Sequence, residues 1–117
     1  MLDRKSAPLS PARRAGTLLF LSGQIAFDEE GRMAPPDIEA QTRQVLKNIE
    51  AVLAANEASL GDIVSASVFL TNEDDFGAFN AVYATYFPAD PPARTTVIAR
   101  LLGGAIVEIA VVAEPRA

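Results

Sequence analysis

The chain has 117 residues, of which half are hydrophobic and 21% are charged. These proportions are typical of a globular protein and exclude a disordered chain. The length supports one hydrophobic core, so we expect a single domain over residues 1–117. The formal net charge of −5 argues against nucleic-acid binding, because phosphate contacts need a basic surface.

Two residue types are missing from the sequence, and their absence excludes several kinds of bond and catalytic site. It contains neither cysteine nor histidine, which excludes disulfides, thiol nucleophiles, Cys/His zinc sites and every triad with a histidine base. The longest apolar runs, 51–55 and 109–113, have five residues, whereas a membrane-spanning helix needs roughly 18 or more. Because the N-terminus also lacks an apolar signal core, we expect a cytoplasmic protein that contacts no membrane.

The first apolar run, 17–22, predicts a buried strand that ends at Gly23. Residues 24–27 are predicted to continue as a second strand after a bend or bulge at this glycine. The acidic residues at 28–30 lack the alternating ligand spacing of a calcium loop. We therefore interpret them as a solvated turn and expect no metal site.

A long helix and a further strand are predicted next. Asp37 is placed to cap a helix that begins at Ile38, and apolar residues then recur every three or four positions until about Ala55. Residues 63–70 alternate serine with apolar side chains, which is typical of a half-buried strand.

The last part of the chain predicts an aromatic helix and two more strands. The aromatic positions of the helix are Phe76, Phe79, Tyr83, Tyr86 and Phe87. We interpret them as core packing rather than as a platform for stacking bases. Segments 93–98 and 106–113 flank a Gly103-Gly104 turn, which predicts a terminal hairpin or a closely spaced strand pair.

The predicted order of elements is β-β-α-β-α-β-β. This order indicates an α+β fold in which one mixed sheet has two helices packed on one face. Strands such as 106–112 are apolar on both sides, and two helices cannot cover both faces of the sheet. An uncovered apolar face implies a partner, for which a closed homo-oligomer is the simplest choice.

Two charged residues are candidates for chemistry. Arg94 follows Pro91 and Pro92 where a strand begins, and its rigid guanidinium fork suits a carboxylate; the alternative is an ordinary ion pair at a strand end. Glu108 is the lone charge within 105–113, so it is paired, at an edge or functional. If it meets Arg94, the pair is structural. If each faces a small cavity, they form a carboxylate clamp and a water-positioning base.

Six stretches of the sequence resemble the RidA/YjgF family in their order and spacing. They are LLFLSGQ (18–24), IEAQTRQVLKNI (38–49), LGDIV (60–64), DF with FNAVY (75–83), PARTTV (92–97) and VEI (107–109). The resemblance implies a chorismate-mutase-like fold, assembled as a homotrimer around a central barrel with a ligand cleft at each subunit interface. It also implies hydrolysis, without a cofactor, of enamines and imines of 2-keto acids, such as 2-aminoacrylate and 2-iminopropanoate. The products are the keto acid and ammonia.

The resemblance also implies roles for individual residues. Arg94 matches the arginine that grips the substrate carboxylate, and Glu108 matches the glutamate that positions or activates the attacking water. The other residues that it implies in the cleft are Ser22, Gly23, Asn80, Thr96 and Phe87, the last as an apolar wall. This set needs no histidine, cysteine or metal, so the missing residue types do not count against it.

The sequence departs from the family in two places that bear on the cleft. Leu9 stands before Ser-Pro where the family usually has a tyrosine, so a hydroxyl is lost from the cleft. The chain is also one residue shorter between Arg94 and Glu108. A slip inside the strand would turn its side chains to the opposite face. We place the deletion in the Gly103-Gly104 turn, because loops absorb deletions with less loss.

Three functions remain open from the sequence. The first is an imine deaminase with a pocket altered by Leu9. The second is a non-catalytic trimer that binds small carboxylates or another protein through the same cleft. The third is a hydrolase of a larger enamine or amide, for which Leu9 makes the pocket more apolar. The net charge of −5 argues against a nuclease, since phosphate finds no basic surface.

Overall fold

A mixed five-stranded sheet and two helices form the structure, a computed structural model that describes residues 6–116. The strands are β1 (Ala12–Ala15), β2 (Leu18–Leu21), β3 (Ile63–Leu70), β4 (Ala93–Ile98) and β5 (Val107–Ala113). The helices are α1 (Ile38–Ala55) and α2 (Phe76–Tyr86). The predicted α+β class and the predicted order of elements are confirmed.

The strands lie side by side in the order β1-β2-β5-β3-β4. Strand β3 pairs in parallel with β4 and antiparallel with β5. Ala66 of β3 therefore lies between Arg94 of β4 and Val111 of β5, while Phe69 of β3 lies opposite Glu108 of β5. Because successive side chains along a strand point to opposite faces, this register decides which face each residue takes.

Both helices cover the face of the sheet that carries Ala66. The buried residues of β3 and β5 on this face are Ala66, Val68, Leu70, Val107, Ile109, Val111 and Ala113. They form one core with the apolar stripe of α1 and the buried aromatic residues of α2. Burial of each large apolar side chain contributes about 1.5–3 kcal/mol. The predicted packing of both helices on one face is confirmed.

Helix α1 has the boundaries that its sequence predicts. It begins at Ile38, and the Asp37 carboxylate accepts a hydrogen bond from the Ala40 backbone N–H at 2.9 Å. This contact satisfies one of the free N–H groups of the first turn. The helix ends at Ala55, and the Asn56 N–H donates back to the Leu53 carbonyl.

The opposite side of the sheet, here called the open face, has no helix over it within residues 6–116. Its side chains are Phe20, Ser65, Ser67, Phe69, Thr95, Val97, Glu108, Ala110 and Val112. Phe20 is 44% exposed and Val97 is 43% exposed. These exposed apolar side chains support the prediction of a partner on this face, which stays a prediction.

The first two strands lie earlier in the chain than the sequence predicts. The first hairpin pairs β1 with β2 across the turn at Gly16 and Thr17, and Gly16 adopts a φ of 61° that favours glycine. The predicted second strand at 24–27 is wrong, because Gln24 forms only an isolated bridge with Ile109. Strand β1 has the sequence ARRA and is mostly exposed, so it carries no apolar pattern that predicts a strand.

The predicted pairing of the last two strands is also wrong. Strands β4 and β5 are separated by β3, which pairs with both of them. The loop 99–106 passes over the end of β3 to connect them. Gly103 and Gly104 both have positive φ, 61° and 82°, so they still form the predicted turn. Local sequence indicates the turn but not the strand that inserts between its arms.

One buried amide ties this loop to helix α1. Gln41 of α1 is fully buried, and its Oε1 accepts a hydrogen bond from the Ile106 N–H at 2.9 Å. Its Nε2 donates to the carbonyl of Ala34 at 3.1 Å and, at 3.4 Å, to that of Gly104. A buried amide with partners on both sides fixes the backbone that it bridges. Gln41 thus sets where β5 begins.

We expect Gln41→Met to lower the free energy of unfolding by about 1–3 kcal/mol, because the part-buried Ile106 N–H and Ala34 carbonyl lose this hydrogen-bond partner. Methionine keeps the volume of the side chain, so packing changes little. Urea denaturation followed by circular dichroism measures the change. Lys47→Met, on the exposed side of the same helix, is the matched control. Equal midpoints for Gln41→Met and the wild type would contradict the prediction.

Candidate active site

Arg94 projects from β4 onto helix α2. Its Cζ lies 4.9 Å from the ring centroid of Tyr83, 5.4 Å from that of Phe79 and 5.7 Å from that of Phe76. Its Nη2 donates a hydrogen bond to Asn80 Oδ1 at 2.8 Å. All three rings lie within the distance at which a cation is attracted to an aromatic face. The guanidinium is therefore held by three rings and a neutral amide.

The sequence interpretation of these aromatics was incomplete. Phe79, Tyr83 and Phe87 are buried in the core, which confirms core packing for them. Phe76 is 45% exposed, and its ring faces Arg94 instead. The missed signal is the spacing of Phe76, Phe79 and Tyr83 at i, i+3 and i+7, which places the three rings on one face of a helix.

The charge of Arg94 is not neutralised inside the described chain. Asn80 is the hydrogen-bond partner found for it, and no carboxylate among residues 6–116 pairs with it. The alternative of an ordinary ion pair at a strand end is therefore not what the structure has. Thr96 lies two residues further along β4, half-buried on the same face. Arg94 keeps free N–H groups that suit an anion.

Glu108 stands on the open face, in the middle of the sheet. It is half-buried on β5 opposite Phe69. Burial raises the pKa of the Glu108 carboxyl above the ordinary value of a glutamate, because the apolar surroundings disfavour the charged form. A carboxylate with a raised pKa is a stronger base than an exposed one.

Gly23 lies directly against the Glu108 side chain. A Cβ at position 23 would collide with the Glu108 carboxylate and would come within 3.4 Å of its Cγ. Gln24 and Ile109 exchange two backbone hydrogen bonds of 2.9 and 3.1 Å, which hold this segment beside β5. Ser22 precedes it, and its Oγ donates to the Ser10 carbonyl at 2.6 Å. A larger residue at position 23 would therefore force the Glu108 carboxylate to move.

The predicted site residues fall into two groups. The arginine half-site comprises Asn80, Arg94 and Thr96, and the glutamate half-site comprises Ser22, Gly23 and Glu108. Arg94 shares the helix-covered face with Ala66, whereas Glu108 is on the open face. One chain therefore does not bring the two half-sites together. Phe87 joins neither, because it stacks on Tyr83 at 4.6 Å inside the core.

An open groove of about 560 Å³ adjoins the glutamate half-site. Its lining residues are Pro8, Leu9, Ser10, Arg13, Phe20, Leu21 and Ser22. Leu9 is 62% exposed there, at the position where the sequence lacks the expected tyrosine. Within the described residues, no cluster of acidic side chains could hold a metal ion, and no helix is long and apolar enough to cross a membrane.

The strands that carry the two half-sites keep regular pairing. Strand β4 pairs with β3 in unbroken register from Ala93 to Ile98, and β5 does so from Val107 to Val112. Loop 99–106 lies between the two stretches. A chain shortened in that loop retains the faces of Arg94 and Glu108, which supports placing the deletion there.

Comparison with known proteins gives one family. The model of the family described as Endoribonuclease L-PSP matches residues 3–115. A RutC family protein of Pyrococcus horikoshii is 44% identical over 108 residues, which cover 91% of this chain and 86% of that protein. The solved structure of the Rid family protein YyfA from Yersinia pestis has a TM-score of 0.90 and 42% identity, and the match covers 92% of this chain and 88% of that one. The YjgF gene product of E. coli has a TM-score of 0.89 and 34% identity, with 95% and 91% covered.

The raised pKa of Glu108 predicts a pH-dependent effect of its removal. The folded state holds the Glu108 proton more tightly than the unfolded state, so ionising this carboxyl destabilises the fold as pH rises through the raised pKa. Glu108→Gln is therefore expected to be more stable than the wild type at pH 7. This advantage should disappear well below the usual glutamate pKa of about 4.3.

Urea denaturation at both pH values and at equal protein concentration measures this difference. Glu50→Gln, on the exposed side of α1, controls for the general loss of one negative charge. A stability difference between Glu108→Gln and the wild type that does not change with pH would contradict the prediction.

Proposed function

The chain belongs to the endoribonuclease L-PSP family, the family of the RidA/YjgF proteins, and from this membership we propose that it hydrolyses reactive enamines and imines of 2-keto acids. The substrates are small carboxylates of the 2-aminoacrylate and 2-iminopropanoate type. The observation that carries the proposal is the Arg94 guanidinium, which is fixed by rings and an amide and is left without a carboxylate partner among residues 6–116.

Arg94 binds the substrate carboxylate in this proposal. A guanidinium presents parallel N–H groups that match the two oxygens of a carboxylate. In a chain of net charge −5, a fixed cation gives a small anion a specific place to bind. Asn80 orients the guanidinium, and Thr96 lines the same surface.

Glu108 acts on water. Water adds to C2 of the protonated imine while the Glu108 carboxylate accepts a proton from it, which gives a carbinolamine. Glu108 then returns this proton to the nitrogen, and as the C–N bond breaks its carboxylate accepts the hydroxyl proton of the carbinolamine, so the keto acid and ammonia leave. Binding of the carboxylate and placement of the water supply most of what the reaction needs. No cofactor takes part.

The two half-sites meet between copies of the chain. We propose a homotrimer in which the arginine half-site of one copy faces the glutamate half-site of the next, giving three clefts. The opposite faces that Arg94 and Glu108 occupy in one chain support this arrangement. It also covers the open face, whose exposed Phe20 and Val97 need a partner.

A second candidate is a hydrolase of a larger enamine or amide. The groove beside the glutamate half-site favours it, because exposed Leu9 and Phe20 offer apolar surface to a longer side chain. Nuclease activity has no support from the charge of the chain, which is −5. The cytoplasmic location stays a prediction.

The proposal is tested by a coupled assay. A serine or threonine dehydratase releases the imine in place, and keto-acid formation is followed with and without this protein. We expect acceleration by the wild type and a fall in kcat/KM of at least about 100-fold in Arg94→Ala, which loses the charged grip on the carboxylate. Arg43→Ala, an exposed arginine of α1, is the matched control.

The mass in solution of each variant is measured alongside. A folded wild-type trimer that gives no acceleration would overturn the deaminase. Binding of small carboxylates without turnover would then favour the non-catalytic protein, and turnover of larger enamines would favour the second candidate.

Mixed trimers test whether neighbouring copies share each cleft. Arg94→Ala subunits keep the glutamate half-site, and Glu108→Gln subunits keep the arginine half-site. Trimers refolded from equal amounts of both variants should regain about one quarter of the wild-type clefts, although each variant alone is inactive. The specific activity of the mixture measures this. No recovery, in mixed trimers verified by native mass spectrometry, would show that the half-sites do not meet between copies.

A further inference from the structure

Four residues on one face of α2 contact a single guanidinium. Phe76, Phe79, Asn80 and Tyr83 follow at spacings of three, one and three residues, and all four contact Arg94 of β4. We propose that Phe76, Phe79 and Tyr83 are positioning residues, whose rings hold the Arg94 guanidinium in place while leaving its charge and N–H groups available to a carboxylate ligand. The catalytic part of this inference rests on the proposed function.

The choice of rings over a carboxylate has a chemical consequence. An aspartate or glutamate beside Arg94 would neutralise its charge and occupy the N–H fork. An aromatic face attracts the cation through its quadrupole without neutralising its charge. Asn80 Oδ1 accepts one N–H at 2.8 Å, and this acceptor is neutral. The guanidinium is thus immobilised without being paired.

Tyr83 is the ring nearest to Arg94 and has the clearest positioning role. It is buried, and within the described chain its hydroxyl has no hydrogen-bond partner. Its ring is fixed on both sides, 5.4 Å from the Phe79 ring and 4.6 Å from the Phe87 ring. The ring face is therefore the part of Tyr83 that contacts the guanidinium. Phe87 supports the Tyr83 ring from within the core.

The matched variants follow from this geometry. Tyr83→Leu removes the ring face, and Tyr83→Phe keeps it while deleting the unpartnered hydroxyl. Tyr86→Leu makes the same aromatic-to-aliphatic change on the same helix, at a half-buried residue with no ring contact to Arg94 among those found. Phe76→Leu removes an exposed ring, so it remains informative if Tyr83→Leu does not fold.

The first measurement needs no substrate. In ¹⁵N-arginine-labelled protein, the Arg94 Nε–Hε signal, assigned by its loss in Arg94→Lys, reports the ring currents and the order of the side chain. We expect it to shift and broaden in Tyr83→Leu and Phe76→Leu, and to stay sharp in Tyr83→Phe and Tyr86→Leu. An unchanged signal in both Tyr83→Leu and Phe76→Leu would overturn the inference.

The second measurement titrates pyruvate as a stable carboxylate probe and, with the coupled assay, separates KM from kcat. Tyr83→Leu should raise the Kd for pyruvate and the KM for the imine about 3- to 30-fold, with a smaller change in kcat. Tyr83→Phe should keep the Kd for pyruvate and the KM for the imine close to the wild-type values. If Tyr83→Phe loses as much as Tyr83→Leu, the ring face is not the cause and the inference fails.

The outcomes separate this inference from the proposed function. If the wild type hydrolyses no imine while the Arg94 signal and pyruvate binding respond to Tyr83→Leu as expected, the positioning role stands and the deaminase is lost. If the wild type is active and Tyr83→Leu changes neither the signal nor KM, the deaminase stands and the positioning role is overturned.

Discussion

The pairing of β3 with both β4 and β5 is the constraint on which the rest of the structure depends. The positions of Arg94 and Glu108 in their pairing with β3 place the two side chains on opposite faces of the sheet. The same register sends Val107, Ile109 and Val111 into the core beneath the helices. A one-residue slip would exchange the two faces of β5 and would bury Glu108 in that core, so packing itself guards the position of the carboxylate.

The two charged groups are handled in opposite ways. Arg94 is surrounded by aromatic faces and an amide that hold it without cancelling its charge. Glu108 has a bare backbone at Gly23 on one side and the half-buried sheet surface around it, and burial alone raises its pKa. The fold therefore keeps a fixed cation and a half-buried carboxyl group apart within one chain. In the trimer that we propose, the contact between copies brings the two groups together, so the active site forms only on assembly.

Local sequence patterns predict those parts of the fold that depend on interactions between residues close together in the chain. Helix α1 could be predicted from its apolar period and from Asp37. Glu108 could be singled out as the lone charge in an apolar strand, and Arg94 as a cation that follows two prolines at the start of a strand. Three features could not be predicted this way. Strand β1 is polar, so only its pairing with β2 makes it a strand. The insertion of β3 between β4 and β5 is a long-range contact, and with it the faces of both site residues. The contact of α2 with Arg94 likewise joins elements that no spacing in the sequence connects.

The fixed guanidinium has a consequence for how such a protein competes with bulk water. In the function that we propose, the imine also hydrolyses unaided and has to be bound before it reacts with solvent, so the rate of productive encounter matters more than the rate of turnover at saturation. A side chain already ordered by its rings adds no ordering cost at the moment of encounter. The whole molecule is acidic and repels small anions from afar, yet it attracts them within a few ångströms of Arg94. Dissolved salt screens distant charges more than close ones, so we expect moderate ionic strength to reduce the distant repulsion more than the attraction at Arg94.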